Sequence, residues 1–381
     1  MSDFVPTRHA VHVLPEGGLE EKLKLGRPLR VKLGIDPTSP DIHIGFAVVL
    51  DRLREWQDAG HTVVLIVGDY TARIGDPSGR SAERPVLADE ELDTNARLFR
   101  EQIVRILDPE RTEFRFNGEW LAPLTFAETV RLTRTLTVAR LLERDDFAKR
   151  FAAGEPISLS ELLYPPMQAY DSVAIEADVE IGGTDQLYNL LAGRDVMPHY
   201  GLEPQVVVTY PLLVGLDGAE KMSKSRGNTI GITDSAEEMF GKTMSIPDAA
   251  LPQWWDLVVG GGPHPDDPME WKLALARRVT ARWHGEEGAR AGEEHFTRVV
   301  RRHEAPDEVA EARLDGPDPL HLPAFLAATL GESTSHWRRT IDQGGVKLDG
   351  RPLDGYDHAW SELDGAVLQA GKRRFVRLRS S

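Results

Sequence analysis

The chain has 381 residues, 41% of them apolar, which is enough for two or three domains with ordinary buried cores. It has no cysteine, which removes disulfides, thiol nucleophiles and cysteine-bound zinc, and a formal charge of −16 excludes indiscriminate coating of nucleic acid while leaving room for a basic patch on one module. Residues 1–30 carry mixed charge and prolines in place of an apolar signal core, and no apolar run approaches the length of a membrane span, so a cytoplasmic protein with no membrane partner is expected.

From Leu29 to Ile35, the residues Leu29, Val31, Leu33 and Ile35 alternate with Arg30, Lys32 and Gly34, the pattern of a strand. Pro37 and Pro40 force a turn, after which Phe46, Val49, Leu50, Leu53 and Trp56 fall on one helical face. His43 to Gly45 therefore lie at a helix start, where unpaired N–H groups attract phosphate. Gly45 would let a ligand approach the backbone, and His43 is suited to donate to a phosphate oxygen. His61 to Gly68 is a continuous apolar run, as in a parallel strand buried on both faces, and Asp69 to Arg80 is a loop holding Gly75-Asp76-Pro77-Ser78-Gly79. Strand, helix and strand in this order predict a right-handed crossover and a doubly wound sheet with ligands at the carboxyl ends of the strands, where Thr38, His43, Thr71 and Asp76 stand.

Residues 87–165 read as a helical insertion, with Ala139 to Asp146 a mainly solvated helix face. A helix beginning near Pro165 sends Tyr164, Gln168 and Asp171 to one side, a polar row that needs polar ligand groups if it faces a cleft. Asp178 to Ile181 reads as a strand, and Gly182-Gly183-Thr184-Asp185-Gln186 as a turn in which Asp185 is placed to accept from a ribose. Val206 to Thr209 supplies one more strand and leads to the Gly- and Asp-rich connection Gly215 to Glu220. There Lys221-Met222-Ser223-Lys224-Ser225 holds two ammonium groups able to close over a polyphosphate. Residues 231–314 read as a helical domain that includes Met269 to Trp283, with His295 to Glu311 dense in charge. Residues 315–319 form a linker, and 320–381 form a compact unit with a basic helix, a Gly turn and a basic terminal strand. Arg338, Arg339, Lys347, Lys372, Arg373 and Arg374 are its candidates for an RNA backbone.

The lysine motif, paired with Asp36-Pro37-Thr38-Ser39-Pro40-Asp41-Ile42-His43-Ile44-Gly45 far upstream, resembles the signature pair of class I aminoacyl-tRNA synthetases. From about Leu29 onward the chain is most similar to the bacterial tyrosyl-tRNA synthetases, and the C-terminal unit resembles the S4-type RNA-binding module. The resemblance implies an α/β fold: a doubly wound parallel, Rossmann-like catalytic domain over 1–230, a helical anticodon-arm domain, and a small α+β S4-like domain. It implies a ligase that activates L-tyrosine with ATP and its accompanying magnesium, without zinc, and transfers it to tRNA(Tyr), as a homodimer. In such a site Asp36, Thr71, Asp76, Tyr164, Gln168, Asp171 and Gln186 would hold tyrosine, Asp171 taking the phenol. His43, Gly45, Gly183, Asp185, Met222 and Lys224 would hold ATP, and Thr38, His43, Lys221, Lys224 and Ser225 would act in catalysis. Two alternatives are a tryptophanyl-tRNA synthetase and a non-catalytic RNA-binding relative of the synthetases. Two positions depart from the family pattern: Phe46 replaces a second histidine, and Lys32 stands where some relatives place a tyrosine against the phenol.

Overall fold

Six strands organise the first of two units: β1 His12–Leu14, β2 Arg30–Ile35, β3 Thr62–Val67, β4 Thr112–Phe116, β5 Val179–Gly183 and β6 Val206–Tyr210. The structure, a computed structural model, describes residues 7–77, 88–301, 309–371 and 374–380, with the backbone alone at 89, 225, 300 and 301. The sheet order is β1-β6-β5-β2-β3-β4, parallel throughout except for β1, which runs antiparallel to β6. Apolar runs such as Val63 to Val67 are buried because helices cover both faces.

The chain winds outward in two directions from the neighbours β2 and β5, and that reversal positions the site. β2 and β3 are paired over six residues, Arg30 to Ile35, whereas β2 and β5 are paired only at Val31↔Val179 and Lys32↔Glu180. Beyond that second pair they separate, and the loops after their ends enclose a crevice. Helix α1 (Ile44–Asp58) follows β2, α2 (Asp89–Ile103) packs beyond it, α3 (Tyr164–Ala174) precedes β5, and α4 (Leu187–Val196) follows β5.

The structure adds to or corrects the sequence reading of these elements at three points. Lys32, one of the residues that alternate with the apolar ones in β2, is wholly buried, because this strand lies in the middle of the sheet. On α1 the core face is Ala47, Val48, Leu50, Leu53 and Trp56, while Phe46 and Val49 turn to the crevice. Strands β1 and β4 had no apolar run to announce them: each is short and lies at a sheet edge, with charged or polar residues interleaved.

The first unit comprises the chain to Asp234 with Ser245–Pro268, and the second comprises Ser235–Met244 with Met269–Ser381. Residues 245–268, which sequence reading assigns to the helical domain, thus fold with the first unit. The physical tie is Gln253, which donates to Leu212 O at 3.2 Å and accepts from Val214 N at 3.0 Å, together with Trp254 Nε1, which donates to Val214 O at 3.1 Å.

In the second unit, α5 (Ala236–Met244) and α6 (Pro268–Phe296) enclose Phe240, Met244, Leu273 and Ala276, and α6 is interrupted at Gly285 (φ 72°, ψ 176°). Its strands are β7 Ala310–Arg313, β8 Leu320–His321, β9 Val346–Leu348, β10 Arg351–Pro352, β11 Asp357–His358, β12 Val367–Ala370 and β13 Arg374–Arg379. Five of them form a sheet in the order β10-β9-β12-β13-β7, and α7 (Leu322–Leu330) and α8 (Thr334–Asp342) pack Leu326, Trp337 and Ile341 against Leu368 and Leu378. Because β7 pairs with β13, this module starts before residues 315–319, which act as a turn within it: Trp360 N donates to Asp318 Oδ1 at 3.0 Å. Among the described residues no helix is long and apolar enough to cross a membrane.

Candidate active site

The separation of β2 and β5 leaves a cavity of ≈620 Å³ lined by residues from both halves of the sheet. Asp36, Thr38, His43, Gly45, Thr71, Asp76, Tyr164, Gln168, Asp171, Gly183, Asp185, Gln186, Lys221, Met222 and Lys224 all line it. Close backbone packing shapes its walls. A Cβ on Gly68 would stand 2.1 Å from Asp36 Oδ1 and 2.4 Å from Thr71 Oγ1, so only glycine lets those two groups meet.

One end is built from α3 and the ends of β2, β3 and β4. Asp36 accepts from Tyr164 Oη at 2.9 Å and from Thr71 Oγ1 at 2.8 Å. Asn117 Nδ2 donates both to Thr71 Oγ1 (2.9 Å) and to Asp171 Oδ2 (3.3 Å), and Trp120 Nε1 donates to Asp171 Oδ1 at 2.8 Å. Asp171 is 3% exposed, and burial pushes its carboxyl from the ordinary 3.8 up to about 7 despite Lys32 and these two donors. Burial likewise raises the Tyr164 phenol, with Asp36 and Asp76 adding to it, so the group stays a hydroxyl. Gln168 Oε1 is buried with no partner among the described residues, an acceptor that a ligand donor would satisfy. Asp76 accepts from Gln186 Nε2 at 2.7 Å and from Arg144 Nη2 at 3.4 Å, and Arg144 also reaches Asn189 Oδ1 at 2.8 Å.

The other end is built from the α1 start and the lysine loop. His43 occupies the N-cap of α1 with extended backbone (φ −104°, ψ 164°), its ring 4.8 Å from that of Phe46, which meets Phe99 of α2 edge-on at 5.9 Å. Burial first, and the charge of Lys224 second, lower the His43 imidazole from 6.5 to about 4, so it is neutral at physiological pH. Its Nδ1 is buried without a partner among the described residues. Lys221 Nζ lies 2.6 Å from Asp185 Oδ2 and Lys224 Nζ 2.7 Å from Asp41 Oδ2, both pairs part-exposed at the cavity edge.

The lysine loop is more tethered than its composition suggests. Asn228 Oδ1 accepts from Ser223 N at 2.8 Å, Asn228 Nδ2 donates to Asp217 Oδ2 at 2.6 Å, and Val214 bridges to Lys221. Met222 is buried, and its Sδ accepts from Gly45 N at 3.3 Å, so the amide expected to meet a ligand already has a weak partner. A Cβ on Gly45 would approach His43 Nδ1 to 3.0 Å, which explains the glycine by packing.

Three residues of the site escaped sequence reading. Asn117 and Trp120 follow an unrecognised edge strand, and the only available signal was a polar residue and an indole three apart at a strand end. Arg144, taken for part of a solvated face, is buried. The Ser225 side chain, Lys372 and Arg373 lie outside the described residues. Arg338, Arg339 and Arg374 are exposed in the second unit, where Arg338 also stacks over Tyr356 at 5.6 Å and Arg374 donates to Leu330 O at 3.3 Å; Lys347 is half-buried on β9.

Residues 24–301 match the family described as tRNA synthetases class I (W and Y). A tyrosine–tRNA ligase of Moorella thermoacetica is 48% identical over 97% of this chain and 94% of its own length, and that of Thermotoga maritima is 47% identical over 97% and 95%. Among solved structures, a tyrosyl-tRNA synthetase of Archaeoglobus fulgidus, crystallised with L-tyrosine, aligns with a TM-score of 0.59 at 23% identity, covering 75% of this chain and 97% of that one. A C-terminally truncated mitochondrial enzyme of Aspergillus nidulans aligns with a TM-score of 0.62 at 21% identity, over 76% and 91%.

Proposed function

This chain belongs to the class I tRNA synthetases of the tryptophan and tyrosine type, among the tyrosine–tRNA ligases, and from that premise we propose that it joins L-tyrosine to tRNA(Tyr) through a tyrosyl-adenylate made from ATP. The observation that carries the reading is that one cavity has a buried acceptor at one end and the start of α1 with two lysines at the other. An amino acid and a triphosphate bound there would meet at the middle, where a carboxylate can attack the α-phosphorus in line.

In this reading Asp171 accepts the phenol hydroxyl, and Asp76, Tyr164, Gln168 and Gln186 surround the substrate ammonium, with Asp36 and Thr71 bracing Tyr164. The family is itself the usual illustration that a buried acceptor left unpaired rejects phenylalanine without an editing site. His43 reaches phosphate as a neutral donor, beside Thr38. Lys221 and Lys224 exchange Asp185 and Asp41 for phosphate oxygens as negative charge grows on the leaving pyrophosphate. Asp185 then becomes available to the ribose, with Gly183 allowing close approach. Magnesium enters with the triphosphate as part of the substrate.

Phe126, Val130, Phe151 and Leu159 are exposed apolar side chains in the first unit, which supports a second copy of the chain as their cover. The C-terminal module is read as an S4-like RNA-binding domain, with Arg338, Arg339, Lys347, Lys372, Arg373 and Arg374 on tRNA phosphates. A cytoplasmic location fits that partner. The test is exchange of labelled pyrophosphate into ATP with each amino acid in turn. Tyrosine-dependent exchange is expected; exchange driven by tryptophan, or by nothing, overturns the reading.

A further inference from the structure

Lys32 and Glu180 face each other in register on β2 and β5, the last pair before the strands part. Their side chains are 0% and 1% exposed, with Nζ 2.8 Å from Oε1. The Lys32 ammonium also donates to Ser172 Oγ at 2.8 Å and to Gln168 O at 3.1 Å, so its three hydrogens reach β5 and two residues of α3 on either side of Asp171. Glu180 in turn accepts from Ser172 Oγ at 3.2 Å, from Gln168 Nε2 at 3.5 Å and from Gln205 Nε2.

Stability alone does not account for this arrangement. Desolvating two charges offsets most of their attraction, and an apolar pair of similar volume would join the strands as well. Asp171 supplies the missing reason, since its two donors, Trp120 and Asn117, are neutral. Resting on the tyrosine reading above, we propose that the Lys32–Glu180 pair is the positioning device of the phenol site: it sets the charge with which Asp171 meets the substrate hydroxyl and holds the Gln168–Ser172 turn of α3 against the cavity. Where some relatives place a tyrosine that would touch the phenol directly, this chain acts on the same hydroxyl through the acceptor.

The charged and titratable groups around Asp171 are Lys32 on β2, Glu180 on β5, Tyr164 on α3 itself, and Asp36, which reaches it through Thr71 and Asn117. Lys32 favours the ionised carboxyl and Glu180 opposes it, with Lys32 the stronger. The two partners of one ion pair therefore act on Asp171 with opposite sign, and their hydrogen bonds to Gln168 and Ser172 tie them to the turn of α3 that carries it.

The experiment is the dissociation constant of labelled tyrosine, by equilibrium dialysis from pH 6 to 9, for the parent, Lys32→Met, Glu180→Gln and the double variant. The parent is first shown to support tyrosine-dependent pyrophosphate exchange. Lys32→Met should move the midpoint for tyrosine binding up by about one pH unit, with binding recovered in alkali, and Glu180→Gln should move it down. Equal weakening of both at every pH, with an unmoved midpoint, overturns the proposal. If the single variants do not fold, the double variant, which leaves no unpaired buried charge, decides: a midpoint above the parent's supports the pair, and an unchanged one overturns it. A parent without tyrosine-dependent exchange defeats the functional reading itself, whereas an active parent with unmoved midpoints defeats only the pair.

Discussion

The two ends of the cavity are built on opposite principles. At the end proposed for the amino acid nearly every polar group is already held by another, Asp36 by Tyr164 and Thr71, Asp171 by Asn117 and Trp120, so little would need to move on binding. At the end proposed for phosphate His43 Nδ1 has no partner among the described residues, and each lysine leans on a part-exposed carboxylate that a phosphate would displace. A site that must distinguish a hydroxyl from a hydrogen gains from rigidity, whereas one that must follow charge from ground state to transition state gains from partners it can exchange.

The sharpest way to break this contrast is to remove the lysines. Lys221→Ala or Lys224→Ala should lower kcat for adenylate formation by about 10²–10³-fold, the usual loss for one donor to developing charge, and leave tyrosine affinity unchanged. Single-turnover kinetics beside equilibrium dialysis would check it, and an equal loss in tyrosine binding would mean that the two ends are not separate. Asp171→Ala should do the reverse. Discrimination between tyrosine and phenylalanine in pyrophosphate exchange should fall by about 10–100-fold, the range expected for a hydrogen bond to a charged group, while kcat with saturating tyrosine changes less.

Acidification separates the ends without mutation. In the proposed site Asp171 is the stronger acceptor for the phenol when ionised, and burial raises its carboxyl to about 7, so tyrosine affinity should be highest above that value and weaken as the pH falls through it. His43 is neutral down to about 4, so the affinity for ATP should show no midpoint from His43 between pH 5 and 8; an inflection near 6.5 that disappears in His43→Asn would contradict its buried, neutral state. The smallest effect is expected at the cavity edge. Asp41→Asn frees Lys224 from a part-exposed pair, and KM for ATP should drop by about twofold, in keeping with the weak energy of such pairs. A large rise would instead make Asp41 part of the site.

Much of this was legible in order along the chain. The β2 alternation, the two prolines and the apolar face of α1 put His43 at a helix start, and Pro165 put Tyr164, Gln168 and Asp171 on one side of α3. Those are short-range consequences of φ restriction and helical period, which a few adjacent residues suffice to dictate. Edge strands β1 and β4 were not legible, because a short ladder stabilised by one neighbour leaves little apolar pattern. Asn117 and Trp120 went unread with β4, and Arg144 was hidden by its charged neighbours.

By itself, then, the sequence determined the motifs, their order, and the doubly wound sheet that carries them to one crevice. Only the tertiary structure decided what each charged group does there: that Lys32 is buried against Glu180 and not in water, that Lys221 and Lys224 rest on Asp185 and Asp41, and that Met222 takes the amide of Gly45. The reason is physical. Backbone conformation follows largely from local sterics, but the protonation and pairing of a side chain depend on the dielectric and the partners around it, and these come from segments far apart in the chain.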